Sequence, residues 1–360
     1  KVRHAIDDGT GSGFGVATLT TMTGAIQAGA FAVTNSLPVT AALSESAIDA
    51  KYVAAINKTK NPNTVAKQAS FIWSARQSNV VRAQLRSNAV DASDGGCQGR
   101  TTFISPPLGT TRAAARSTTT QPVVGTYRKD RVVYCFPGAR TFIPQIAARG
   151  LSGGIGFTAD GMIDVHADSW EVSTAAQLPP EENPGQETSA MDLVLAVEAA
   201  NSDVQDLTMD DYVAFKAAGI AAIIVSGGST TIQSGVTSVD PAVNPNLKNI
   251  ARRRMTDFIL DTLAERLTSF NKKLTKKSRR GQALGEVAAF LRGLVSKNLP
   301  DSQRIDSFSI DGKSGNTLAS IAAGVFRMII KVRTLTSMDE IVLDATIGES
   351  VEIQEVAEAA

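Results

Sequence analysis

The residues best suited to chemistry lie in DVHADSW, where Asp164, His166 and Asp168 fall at i, i+2 and i+4. On an extended strand these three project from one face. Two carboxylates and an imidazole on one face would suit a divalent metal, which defines one reading: a metal-dependent α/β enzyme. The rest of the chain offers little to complete such a site. The only other histidine is His4, and there is neither a His-Glu helix motif nor a closely spaced cysteine pair. The flanking Gly161 and Trp170 also suit a surface hairpin. A serine nucleophile lacks its Gly-x-Ser-x-Gly elbow, and Glu181-Glu182 reads as solvated charge in a proline-rich loop. Gly9, Gly11, Gly13 and Gly15 alternate without the spacing of a dinucleotide fingerprint or the Gly-Lys-Ser/Thr of a phosphate loop. No cofactor is expected.

Positive charge is the stronger signal. Lys272, Lys273, Lys276, Lys277, Arg279 and Arg280 crowd into NKKLTKKSRRGQ. Arg252, Arg253 and Arg254 would add to them if the flanking helices fold back on each other. Net charge over the 360 residues is only +1, so the patch is local and the tail over 339–360 is acidic. A basic patch is either plain solvated surface or a contact for nucleic acid or an acidic protein. Base stacking needs aromatics, and only Phe270 is close by, so an acidic protein partner is favoured over a nucleic-acid-binding role.

The totals fit a folded chain of one large or two smaller domains, with 43% hydrophobic and 20% charged residues. Aromatic content of 5% argues against a deep aromatic ligand pocket. Cys97 and Cys135 are too few for a disulfide scaffold. They read as two thiols, with a disulfide within or between subunits as the alternative. No apolar run reaches the roughly 18 residues of a membrane span, and no signal peptide is visible. The chain begins at Lys1 rather than Met, which suggests residues upstream.

Periodicity places these groups on an alternating set of elements. Residues 1–40 read as extended or flexible. SESAIDAKYVAAINKT predicts a helix from a serine cap, with Ile48, Tyr52, Val53 and Ile56 on one face. Val65, Phe71, Ile72, Ala75, Val80 and Leu85 suggest a second helical stripe, broken at Asp94-Gly95-Gly96. RTTFIS predicts a strand halted by Pro106-Pro107, 109–122 a surface connection, and Val132–Phe136 a strand ended by Pro137-Gly138. IPQIAARG suggests a short helical piece, 151–190 mostly loop, and 193–200 a short helix or a strand. Leu207-Thr208 caps a helix that Gly219 stops, and the buried strand IAAIIVS comes next. After it stand a long helix over about 246–270 and another over about 282–298. Alternation then marks strands through Met328, Ile330 and Val332 and through Ile341, Leu343 and Ala345. The terminal run, from Ile341, Val342, Leu343 and Asp344 through Ala345, Thr346 and Ile347, is free of proline. It suits either the chain's own sheet or an edge strand that completes a neighbour's.

Four of these stretches resemble contractile tail sheath proteins, the family of phage tail sheaths, R-type pyocins and type VI secretion sheaths. They are LTMDDYVAFKAAGIAAIIVSGGSTTIQSGVTS, NIARRRMTDFILDTLAERL, RRGQALGEVAAFLRGLVSKNLP and RMIIKVRTLTSMDEIVLDATIG. The likeness spans roughly 205–353, is weaker over 44–200, and is absent before that. The family's usual Pro-Gly-Val-Tyr-like N-terminal arm is not visible.

The resemblance implies an α+β (α/β) fold with a mixed sheet flanked by helices. It implies an outer α/β region over 44–204, a sheath core over 205–338 and a strand or arm over 339–360, after the extended or flexible N-terminal segment read over 1–43. It further implies a non-enzymatic subunit that polymerises as stacked rings around a rigid tube and contracts to drive that tube through a cell envelope. Partners would be further sheath subunits, the tail tube protein, and the baseplate and tail terminator proteins, with no direct nucleic acid and no membrane insertion. The location would be a virion tail assembled in the bacterial cytoplasm. Lys272, Lys273, Lys276, Lys277, Arg279 and Arg280 become candidates for the tube contact, and 341–347 for the strand given to a neighbour.

Overall fold

The computed structural model describes residues 44–60, 69–95, 99–117, 129–142, 161–186, 188–189, 191–199, 201–226, 229–239, 247–273, 276–295 and 303–335. The chain divides into two units, Lys1–Lys51 and Tyr52–Ala360, and helix α1 (Glu45–Lys58) runs across the division. All of the other described elements belong to the second unit.

There the chain runs through β1 (Phe71–Ile72), α2 (Asn79–Gly95), β2 (Thr101–Ile104), α3 (Arg112–Arg116) and β3 (Val132–Phe136). It continues through β4 (Ala139–Phe142), β5 (Met162–Val165), α4 (Ala167–Gln177), β6 (Val194–Val197), α5 (Met209–Ala217), β7 (Ile220–Ser226) and β8 (Ser229–Ile232). Last come α6 (Ile250–Leu267), α7 (Lys277–Val295), β9 (Ile305–Asp311), α8 (Leu318–Ala322) and β10 (Ile329–Thr334).

A five-stranded sheet in the order β1-β2-β3-β7-β8 organises this unit; its first four strands are parallel and β8 is antiparallel. A parallel sheet must be covered on both faces, so its strands read as unbroken apolar runs. VVYCF and IAAIIVS are such runs, and β3 is buried at every position. Alternation then divides them between two cores. Val132, Tyr134, Phe136, Ile220 and Ala222 meet Val81 and Leu85 of α2 and Tyr212 and Phe215 of α5. Val133, Cys135, Ala221 and Ile223 face Ala167 and Ala175 of α4. The sheet takes β1 to β3 from the region 44–204 and β7 and β8 from 205–338, so these regions share one sheet.

α5 illustrates how local sequence sets the register. Thr208 and Asp211 form a reciprocal capping box, with the Asp211 N–H donating to Thr208 Oγ1 at 3.3 Å and the Thr208 N–H to Asp211 Oδ2 at 3.1 Å. Gly219 ends the helix at φ +74°, a conformation open to glycine at little cost. A Cβ there would also meet the Thr237 carbonyl oxygen at 3.1 Å.

A third core lies between α6, α7 and the antiparallel ribbon β9–β10. Met255, Ile259 and Leu263 of α6 pack with Val287, Leu291 and Leu294 of α7 and with Ile305, and Val332 borders them. A separate three-stranded antiparallel sheet, β5-β4-β6, sits beyond the end of β3.

Several expectations change. Phe71 and Ile72 form strand β1 rather than a helical stripe, and the helix begins at Asn79. The region 151–190 holds β5 and α4 rather than mostly loop. The run 193–200 resolves to a strand, β6. Within 109–122, α3 buries Ala115. The glycine series 9–15, the IPQIAARG segment and the terminal strand 341–347 lie outside the described residues. No described helix is long and apolar enough to cross a membrane.

Candidate functional site: buried acids, a buried arginine network and a basic hairpin tip

Asp164, His166 and Asp168 do not converge. β5 ends at Val165 and α4 starts at Ala167, so the two-residue alternation fails after Asp164. Asp164 takes a two-pronged bond from Arg140, at 2.8 Å from Nε and 3.2 Å from Nη2. His166 places Nδ1 3.1 Å from the Pro106 carbonyl oxygen, and burial pulls its pKa down, favouring a neutral ring. Asp168 is fully buried; its Oδ2 accepts from Gln77 Nε2 at 2.6 Å and from the Trp73 indole N–H. Among the described residues, no group of three or more His, Cys, Asp or Glu side chains forms a metal site. Asp164, His166 and Asp168 each go to separate protein partners and do not form the one-face metal set expected of a metal-dependent enzyme.

These residues hold α4 against the sheet. The Asp168 N–H donates to Ser105 Oγ at 2.8 Å, and Asp168 Oδ1 has no hydrogen-bond partner. Burial pushes the Asp168 carboxyl up to about 7 and raises fully buried Glu171, one turn further on, in the same direction. A carboxyl whose folded pKa exceeds its unfolded one stabilises the fold at low pH and loses that contribution as pH rises through the folded value. The pH window for Asp168 thus runs from about 4, the unfolded value, to about 7. Chemical denaturation of wild type and Asp168→Asn across pH 5 to 8 checks this. Wild type should lose about 2–3 kcal/mol relative to the variant as pH rises, whereas parallel profiles would contradict it.

The arginine triplet does not extend the surface patch. Arg253 and Arg254 are only 7% and 9% exposed. Arg253 reaches Asp130 at 3.1 Å and also pairs with Asp257 one turn along α6, and Asp257 in turn takes Arg131. Arg254 Nη2 caps the carbonyls of Ala175 and Leu178, both at 2.7 Å, and its guanidinium lies 5.3 Å from the Phe71 ring centroid. Burial pulls Arg254 down to about 10. Backbone approaches closely here: a Cβ on Gly99 would lie 2.1 Å from Asp257 Cβ, and the Gly99 N–H bonds Asp261 Oδ1 and Oδ2, each at 3.1 Å. This network locks α6 to the β2 and β3 ends of the sheet. Three consecutive arginines resemble surface charge; the signal for burial lay in Asp257, four residues beyond Arg253 on the same helix face.

The basic run stays outside. α6 and α7 form a helical hairpin whose stem is held by Phe258 and Phe290, 6.2 Å apart between centroids, and by Arg266, 2.8 Å from Glu286 and 5.0 Å from the Phe290 centroid. Its tip turns at Lys272, a non-glycine residue at φ +60°. Lys272, Lys273, Lys276 and Lys277 are exposed, while Arg279 and Arg280 are half-buried. Lys277, Arg279 and Arg280 occupy the first turn of α7, which holds no acidic residue. Cations at a helix N-terminus oppose the helix dipole. The tip thus concentrates positive potential, and an anionic partner would relieve it.

Cys135 is a free, buried thiol in β3, with its pKa raised mainly by burial. Cys97 and residues 341–347 lie outside the described residues.

The architecture has counterparts among solved structures. The chain is similar to one in the cryo-EM structure of the anti-feeding prophage baseplate, with TM-score 0.57, 12% identity, and coverage of 87% of this chain and 83% of that one. It is similar to a chain of the PVC sheath complex of an extracellular contractile injection system in its contracted state, with TM-score 0.58, 12% identity and coverage of 84% and 80%. A chain of the contracted anti-feeding prophage helical sheath gives TM-score 0.57, 12% identity and coverage of 84% and 76%. The chain shares the fold of these sheath structures. No protein-family model and no curated protein sequence matches it. At 12% identity the likeness is one of fold. It extends well beyond the stretch 205–353 that carried the resemblance in sequence.

Proposed function

We propose that this protein is a structural subunit of a contractile sheath, which stacks as rings around a rigid tube and drives that tube forward on contraction. The observation that carries the reading is the shared fold over 84% of the chain with structures described as contractile sheaths. The proposed partners are further copies of the chain, an inner tube protein, and baseplate and terminator components, in a phage tail or related injection particle assembled in the bacterial cytoplasm. The regions 1–43, 44–204, 205–338 and 339–360 keep their proposed roles as N-terminal segment, outer region, core and arm. In this role the subunit is not an enzyme, because the work of contraction is stored in the assembly.

Physical chemistry supports the division of labour. A contact that must release during contraction suits exposed, salt-screened charge. Lys272, Lys273, Lys276, Lys277, Arg279 and Arg280 present such charge at the hairpin tip. A lattice that survives contraction needs joints that persist, and strand addition through 341–347 provides backbone pairing of that kind. The test is K272E/K273E/K276E/K277E. Its assembly on the tube protein, measured by co-sedimentation, should fall at least tenfold, roughly the effect of losing 1.4 kcal/mol of contact energy. Unaltered co-sedimentation would move the tube contact elsewhere.

A further inference from the structure

The basic tip has a complement within the same chain. Beyond Leu335 the sequence holds seven acidic residues and no basic one, and Glu349, Glu352, Glu355 and Glu358 recur at every third position. We propose that in the free subunit this acidic segment, 349–358, docks on the chain's own hairpin tip and masks it until assembly. The proposal rests on the reading of the tip as an anion-facing contact surface.

Three observations carry it. The first is charge complementarity: four exposed lysines at the tip match four glutamates in the segment. The second is local electrostatics. Lys277, Arg279 and Arg280 sit at the positive end of the α7 dipole without an acid in that turn, so a carboxylate there gains from both the side chains and the helix. The third is reach. Thr334 pairs with Ile305, and the Arg304 N–H donates to the Leu294 carbonyl at 2.9 Å, so β10 finishes at the far end of α7. The 19 residues of α7 span about 27 Å at 1.5 Å each. The 14 residues from Leu335 to Glu349 extend to about 46 Å. The segment therefore spans the helix with slack.

The consequence is a built-in order of events. While 349–358 lies on its own tip, residues 341–347 are held near their own subunit and the lysines are hidden from an anionic tube. Handing 341–347 to a neighbour pulls the glutamates away and uncovers the tip, so strand exchange precedes tube contact.

A zero-length carbodiimide cross-linker tests this on dilute full-length protein mixed from ¹⁴N- and ¹⁵N-labelled preparations. Peptides should join Lys272, Lys273, Lys276 or Lys277 to Glu349, Glu352, Glu355 or Glu358. The joined peptides should be of one isotope, and salt near 1 M, where the screening length is about 3 Å, should abolish them. A second arm measures binding of polyglutamate to E349Q/E352Q/E355Q/E358Q. Removing a tethered competitor at roughly millimolar effective concentration should tighten it about fivefold. Absence of these cross-links, or unchanged polyglutamate affinity, would overturn the proposal, and mixed-isotope links would assign the tip to a second copy instead. Both arms use dispersed protein, so their failure leaves the sheath reading intact. A protein that shows the clamp but never forms tubes would sink the sheath reading alone.

Discussion

Asp257→Ala is expected to destabilise the fold by about 3–5 kcal/mol, the usual effect of removing one partner from a buried ion network. Asp257 is 5% exposed and takes both Arg131 and Arg253. Its loss strands two guanidinium groups in a site where burial already pulls Arg131 below its ordinary pKa. Asp130 remains for Arg253, at 3.1 Å, whereas Arg131 depends on Asp257 for its ion pair. Water entering the gap softens the penalty without repaying it, because the site is sealed by α6 and by the close approach of Gly99. The comparison that fixes the scale is Arg266→Ala. That residue forms a half-exposed pair with Glu286, and its loss should remain within about 1 kcal/mol. Urea unfolding of both variants measures the difference. Equal midpoints would mean that the buried network contributes nothing to holding α6 on the sheet.

Removal of 341–360 is expected to abolish polymers while leaving a folded subunit. Among the described residues, Ile305, Phe308, Ile310, Met328, Ile330 and Val332 close the third core against α6 and α7. Among the described residues β9–β10 is a ribbon of only two strands. Such a ribbon leaves a row of unpaired backbone groups along each edge, and those groups recruit further strands. Without its own packing against α7 it would be marginal, and among the described residues Phe308, Ile310 and Val332 supply that packing. The truncated chain should therefore keep its cooperative unfolding and sediment as a monomer. Tubes formed by the truncated protein would remove strand exchange from the account.

Much of this architecture was legible because it depends on periodicity. IAAIIVS and VVYCF read as buried parallel strands since both faces of the sheet are covered. α6 and α7 were plain from their apolar stripes, and α5 from its cap and its glycine. Elements held by polar groups were not legible. α4 buries Asp168, Glu171 and Thr174 alongside its alanines, so ADSWEVSTAAQ has no apolar stripe to betray a core helix. β1 is two residues long, and Phe71-Ile72 falls by chance into helical register with Val80 and Leu85 of α2. Arg253 and Arg254 resemble surface charge in sequence because only their tertiary partners, Asp130 and the carbonyls of Ala175 and Leu178, keep them inside. The candidate site divides along the same line. The exposed lysines at the hairpin tip were recognisable from composition. The fate of Asp164, His166 and Asp168 was decided by one strand-to-helix transition at position 166.

The sheath reading is tested most directly by negative-stain electron microscopy of the purified full-length protein, alone and with the proposed tube protein. The account predicts striated hollow cylinders of uniform diameter, built from repeating rings. Dispersed globular particles under every condition, with the tube protein present, would contradict it.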